Sequence, residues 1–146
     1  MKYTCDPQQA MEYFRARMSF STGPVELSHL MKRGEALQIV DVRRAEDFAQ
    51  GHIPGAINLP MAPGREMYHW GDLSALRKDT TSIVYCYTQV CHTAAAAAFE
   101  FARRGYPVKE LEGGFETWKQ KGLPIANADP RENKCTTESP SCNCVT

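Results

Sequence analysis

The strongest constraint on this chain is an alternation of short β-branched runs with helical stretches, the pattern of an α/β domain with a largely parallel sheet. Residues 37–42 (Leu-Gln-Ile-Val-Asp-Val) read as a buried strand ending in polar residues. A short helix over 45–50 follows and stops at Gly51, and a second strand over 56–59 is closed by Pro60. Residues 82–85 are apolar between polar loops, which places them at the centre of the sheet. A helix over 93–104 contains five consecutive alanines and ends at Gly105, a strong helix former with a glycine stop. Residues 108–111 form a further strand, and Gly113-Gly114 turns the chain into a last helix over 115–120.

The length of 146 residues fits one domain, and no repeat of fixed period is present. Hydrophobic residues are 42% and charged residues 23%, which argues against disorder over most of the chain. Seventeen basic and seventeen acidic side chains cancel, so neither a nucleic-acid groove nor a polybasic membrane face is expected. The first residues carry no apolar run of the secretory kind, and the longest apolar stretch, 94–99, is too short to cross a bilayer. A cytoplasmic chain is the expectation. In a reducing compartment its six cysteines point to catalysis, redox chemistry or metal binding rather than to structural disulfides.

Two ends stand outside the alternation. Residues 1–24 read as a helical extension, with Asp6 as N-cap, Pro7 at the first helical position and Gln9 reaching back. Met11, Phe14 and Met18 share one face of it, and that face is expected to dock on the domain's own core; a partner-binding helix is the alternative. Residues 127–146 are polar and aperiodic, interrupted by Pro130 and Pro140, and read as a flexible tail.

The chemistry concentrates at Ile83-Val84-Tyr85-Cys86-Tyr87-Thr88-Gln89-Val90-Cys91-His92-Thr93. Cys86 stands where a buried strand ends, and a long helix starts after a short loop. In open α/β sheets, ligands bind beyond the carboxyl ends of the strands. A tight loop entering a helix N-terminus turns backbone N–H groups inward, and the helix dipole adds positive charge. Both favour a thiolate, and a cysteine so placed falls from about 8.5 to about 3.5–7.5. Cys86 is therefore a candidate nucleophile; an inert, buried core cysteine is the competing reading.

Asp41-Val42-Arg43, Phe48 and Gly51-His52-Ile53-Pro54-Gly55-Ala56-Ile57-Asn58 together resemble the front signature of the rhodanese-like (sulfurtransferase) superfamily. Cys86 with its loop and alanine-rich helix is similar to that family's active-site loop. Gly105-Tyr106-Pro107-Val108 and Leu111-Glu112-Gly113-Gly114-Phe115-Glu116-Thr117-Trp118 are similar to its closing strand and helix. The resemblance implies an α/β domain over 25–126 with a central five-stranded, mostly parallel sheet flanked by helices, and no cofactor or metal. It implies a sulfurtransferase in which Cys86 takes sulfane sulfur from a persulfide, polysulfide or thiosulfate and passes it to a thiol or protein acceptor. Tyr87, Thr88, Gln89, Val90, Cys91 and His92 would line the substrate cradle. Asp41 and Arg43, with Glu46 nearby, are expected to pair and brace the neighbouring loops. Gly51 and Gly55 are expected to serve turns, and Trp118 the core.

The loop departs from the family pattern: between Cys86 and Cys91 it has no glycine, arginine or lysine, and its titratable neighbour is His92. A doubly charged thiosulfate would need backbone donors or a basic residue from elsewhere, such as Arg65, so a persulfide or polysulfide is the expected donor. A phosphatase or arsenate reductase would place arginine six positions after the cysteine, where this chain has His92. Cys91 is either a resolving thiol for Cys86 or a small residue at a helix start. The tail thiols Cys135, Cys142 and Cys144 are candidates for a sulfur relay or are incidental; a zinc site wants four ligands, and the tail has three and no histidine. A non-catalytic binding or redox-sensing module using Cys86 and Cys91 is the alternative to the enzyme.

Overall fold

The computed structural model describes residues 4–64 and 67–127. The tail from 128 onward, with Cys135, Cys142 and Cys144, and Arg65 lie outside the described residues. In chain order the elements are α1 (Pro7–Phe20), β1 (Ser21–Thr22), α2 (Pro24–Lys32), β2 (Leu37–Asp41), α3 (Ala45–Gln50), β3 (Ile57–Asn58), β4 (Thr81–Tyr85), α4 (Thr93–Arg103), β5 (Val108–Leu111) and α5 (Gly114–Gln120). Five strands form one sheet in the order β1-β5-β4-β2-β3, and all four pairings are parallel. β4 is central, as its apolar sequence between polar loops implies. Among the described residues no helix is long and apolar enough to cross a membrane.

The side-chain period of two in a strand sends neighbours to opposite faces, so β2 and β4 feed two cores. Val40, Val42, Val84 and Cys86 pack with Trp70, Leu73 and Leu76, and with Ala94, Ala97 and Phe101 of α4. Ile39, Ile83 and Tyr85 face the other way, against Leu27 of α2 and Phe115 and Trp118 of α5. The small alanines of α4 let that helix lie close to the sheet; Ala97 is fully buried. The chain leaves β2 toward β3 on one side and leaves β4 toward β5 on the other. The connections therefore diverge above β2 and β4, which opens a crevice at their carboxyl ends.

Two elements depart from expectation. α2, with Pro24 in its first turn, has no counterpart in the reading above, although Leu27, Leu30 and Met31 carry helical spacing. The apolar face of α1 does not dock on the core: Met11, Phe14 and Met18 are 54%, 52% and 71% exposed, and no residue of the helix is buried. The cause is its position. α1 leads into β1 at the sheet edge, where it neighbours β1 and β5 rather than lying over a sheet face. Arg17 ties its last turn to Glu112 at 3.3 Å. Asp6 does cap the helix, accepting from Gln8 N at 3.0 Å.

Candidate functional site

Cys86 follows β4 immediately, and its position is set by a helix that comes much later in the chain. The first turn of α5 has backbone N–H groups without helical partners. Two of them, on Phe115 and Glu116, donate to the carbonyls of Cys86 and Tyr87, each at 2.9 Å. A trans peptide plane with its carbonyl held outward turns its N–H to the opposite side. The N–H groups of Tyr87 and Thr88 are thereby turned toward the two loop thiols, and each lowers the pKa of one of them. This apposition requires glycine at 114: its φ is +62°, and a Cβ there would stand 2.9 Å from Cys86 O, Thr88 N and Tyr87 C.

The thiol of Cys86 is buried, at 1% exposure. Its Sγ lies 3.3 Å from the carbonyl oxygen of Cys91 and 3.9 Å from that of Thr88, with the thiol as donor. Burial first, and then contact with the Cys91 side chain, push its pKa up to about 12 against the N–H groups of Ala94 and Thr88. The depressed pKa expected of Cys86 is therefore a correction. Desolvation and the Cys91 side chain outweigh the N–H groups of Ala94 and Thr88.

The depression falls on Cys91 instead. Burial alone would raise that thiol, but hydrogen bonds from the Cys86 side chain, the Thr93 hydroxyl and the N–H groups of Thr93 and Tyr87 hold it below the ordinary value. Cys91 is partly exposed, its Sγ lies 3.4 Å from Thr93 Oγ1, and its N–H closes a turn onto Thr88 O at 3.2 Å. Loop and helix start thus hold two free, mutually contacting thiols, of which the outer is the better anion.

The other cradle residues divide. Thr88 contributes backbone. The Tyr87 side chain turns to α3, donating its hydroxyl to Asp47 at 2.5 Å and accepting from Arg44 N at 3.3 Å. Gln89 reaches across to accept from Gly113 N, a tether between the loop and the start of α5. Val90 is 84% exposed at the loop tip. His92 is exposed at the N-cap of α4 without a side-chain cap.

Asp41 and Arg43 are paired and buried. Arg43 Nη2 is 2.8 Å from Asp41 Oδ2, and Nε is 3.2 Å from both carboxylate oxygens. Arg43 also donates to Gly51 O, and its guanidinium sits 4.1 Å from the Phe115 ring centre and 5.7 Å from that of Tyr87. One buried cation therefore links β2, the end of α3, α5 and the active loop. Glu46 takes no part; it is exposed on α3, and the acid that meets the loop is its neighbour Asp47. Gly51 serves close packing and not a turn: its φ is 172°, ordinary extended backbone, and a Cβ would come 3.3 Å from Ile125 Cγ2. Trp118 is core, at 1% exposure. A cleft of about 360 Å³ opens beside the loop, lined by Arg43, Asp47, Tyr87, Phe115 and Lys119 among others.

Asp47, Gly114 and Phe115 were not singled out for the site by their residue types. The signals for them were the Arg44/Asp47 spacing on a short helix and the Gly113-Gly114 pair before α5.

Comparison with known proteins agrees with this architecture. The family model for the rhodanese-like domain matches residues 23–121. A sulfurtransferase of Allochromatium vinosum is 34% identical over 102 residues, covering 68% of this chain and 87% of that protein. The HTH-type transcriptional regulator Rv0324 of Mycobacterium tuberculosis is 35% identical over 105 residues, 70% of this chain. The match spans only 44% of that regulator. Among solved structures, the BH2092 protein of Bacillus halodurans superposes with a TM-score of 0.74 at 34% identity, over 84% of this chain and 88% of that one. With a parallel five-stranded sheet, a cysteine loop at the carboxyl end of its central strand and a family match across most of its length, this chain belongs to the rhodanese-like domain family, which includes sulfurtransferases.

Proposed function

We propose that the chain moves sulfane sulfur from a small persulfide-type donor to a thiol acceptor, free or protein-borne, through a persulfide on Cys86. One observation carries this reading: Cys86 stands directly after the central strand β4, in a loop whose carbonyls are held outward by Phe115 and Glu116 so that its N–H groups face the thiols. The Cys86 sulfur attacks the outer sulfur of R–S–SH and gives up its proton as it does so. The donor S–S bond breaks, and the departing thiolate takes that proton and leaves as R–SH. The N–H groups of Thr88 and Ala94 stabilise the charge on Cys86 during the exchange. An acceptor thiolate then attacks the outer sulfur and Cys86 leaves.

Tyr87, Thr88, Gln89, Val90, Cys91 and His92 form the wall that the donor meets. The stretch holds no arginine or lysine, which favours a persulfide over doubly charged thiosulfate. Free thiols at Cys86 and Cys91 suit a reducing cytoplasm.

A second reading, a module that binds a partner or senses redox state without turnover, draws support from the burial of Cys86. Consumption of glutathione persulfide separates the two. In the enzyme reading, Cys86→Ser brings donor loss down to the uncatalysed rate, while Cys91→Ser still consumes one equivalent per chain. Donor loss that Cys86→Ser leaves unchanged refutes it.

A further inference from the structure

We propose that Cys91 attacks the sulfur-loaded Cys86, expels sulfide and leaves an internal Cys86–Cys91 disulfide, making the chain a persulfide-reducing, sulfide-releasing catalyst that thiols reset. The inference rests on the Cys86 persulfide reading and adds a fate for the sulfur.

Its basis is the fold of the loop. The turn closed by Cys91 N–H on Thr88 O lays residue 91 over Cys86, whose Sγ lies 3.3 Å from the Cys91 carbonyl. The two side chains are in hydrogen-bond contact. Thr93 Oγ1, 3.4 Å from Cys91 Sγ, can donate its hydroxyl to a thiolate there, beside the N–H groups of Tyr87 and Thr93. Among the described residues no basic side chain hydrogen-bonds either sulfur; the side chains that meet Cys91 are those of Thr93 and Cys86. A nucleophile held in the same loop acts at an effective concentration that a solution thiol does not reach. Cys86 has little exposure to solution, whereas Cys91 touches both the solvent and the buried sulfur.

The chemistry balances without a further oxidant. Cys86–S–SH and the Cys91 thiolate give Cys86–S–S–Cys91 and HS⁻. The persulfide S–S bond breaks and the Cys86–Cys91 bond forms; the sulfane sulfur is reduced to sulfide, and the two cysteines supply the two electrons. Two equivalents of a monothiol, or one of a dithiol, then reduce the disulfide and are themselves oxidised to a disulfide.

One tryptic peptide, residues 79–103, contains both cysteines and none of the others, which makes the test direct. The full-length chain is mixed with one equivalent of glutathione persulfide, then alkylated and digested, and free sulfide is trapped and counted. The wild-type peptide is expected unalkylated and about 2 Da lighter than the reduced peptide, with sulfide release approaching one per chain. Cys91→Ser and Cys91→Ala are expected to keep the added sulfur, about 32 Da, on Cys86, with sulfide no higher than in Cys86→Ser. A wild-type peptide that retains the added sulfur to the same yield as Cys91→Ser overturns the inference and leaves the transfer reading standing. Disulfide without sulfide also overturns it. If neither wild type nor Cys91→Ser takes up sulfur, the transfer reading itself falls and this inference with it.

Discussion

Gly114→Ala puts a methyl group where α5 and the active loop meet backbone to backbone. Its cost has two separable parts. A left-handed conformation, here φ +62°, costs a residue with a Cβ about 1–2 kcal/mol. The new Cβ also stands 2.9 Å from three backbone atoms of residues 86–88, none of which can swing away as a side chain would. Overpacking of that kind adds about 1–3 kcal/mol, for a total of about 2–5 kcal/mol. Gly122→Ala is the matched control: its φ is +66° and nothing lies within 4 Å of its Cβ, so it carries the first part alone. Urea unfolding of the two variants, with unchanged m-values, gives the difference as the steric part. Relief of the clash draws the loop away from α5, breaking the bonds from Phe115 and Glu116 to Cys86 and Tyr87, so sulfur uptake should fall in Gly114→Ala and not in Gly122→Ala. Equal destabilisation of the two, within about 0.5 kcal/mol, together with equal uptake, would refute the idea that α5 shapes the loop.

Arg43→Ala should cost about 3–5 kcal/mol in the same assay, because it strands Asp41 as a buried, unpaired carboxylate; Arg43→Lys should recover little, since one ammonium cannot replace the forked contacts. Alkylation across pH should label Cys91 first: a lowered pKa makes thiolate available at lower pH, while Cys86, near 12, stays protonated. Cys86→Ala removes a hydrogen bond to Cys91 and should move the Cys91 profile to higher pH. Phe14→Ser on α1 should change stability by no more than about 0.5 kcal/mol, whereas Phe101→Ala, at 0% exposure, should cost about 3–5 kcal/mol.

Where local pattern and tertiary packing agree, the fold was legible. The apolar run of β4, the alanine helix α4 with its stop at Gly105 and the Asp41–Arg43 pair all follow from residues near one another in sequence. β1 was not legible, because two residues carry no periodicity. The face of α1 was misread because amphipathic spacing says that a stripe exists and not what covers it. The ionisation of the loop was misread for a related reason. The loop alone suggests an anion at Cys86, yet the peptide planes after it are held by Phe115 and Glu116, and its sulfur is buried beside Cys91. Long-range hydrogen bonds of that kind leave no mark on the local sequence beyond a pair of glycines.

The sheet's borders are both very short: β1 and β3 contribute two residues each. An unpaired ladder is what a foreign strand needs in order to add itself, and aggregation through sheet margins depends on its length. β3 covers only Val40 and Asp41 of β2, and β1 only Glu110 and Leu111 of β5, so among the described residues the first residues of both longer strands have no strand on their outer side. The length a foreign strand could use is therefore set by the uncovered starts of β2 and β5 rather than by Ser21, Thr22, Ile57 and Asn58.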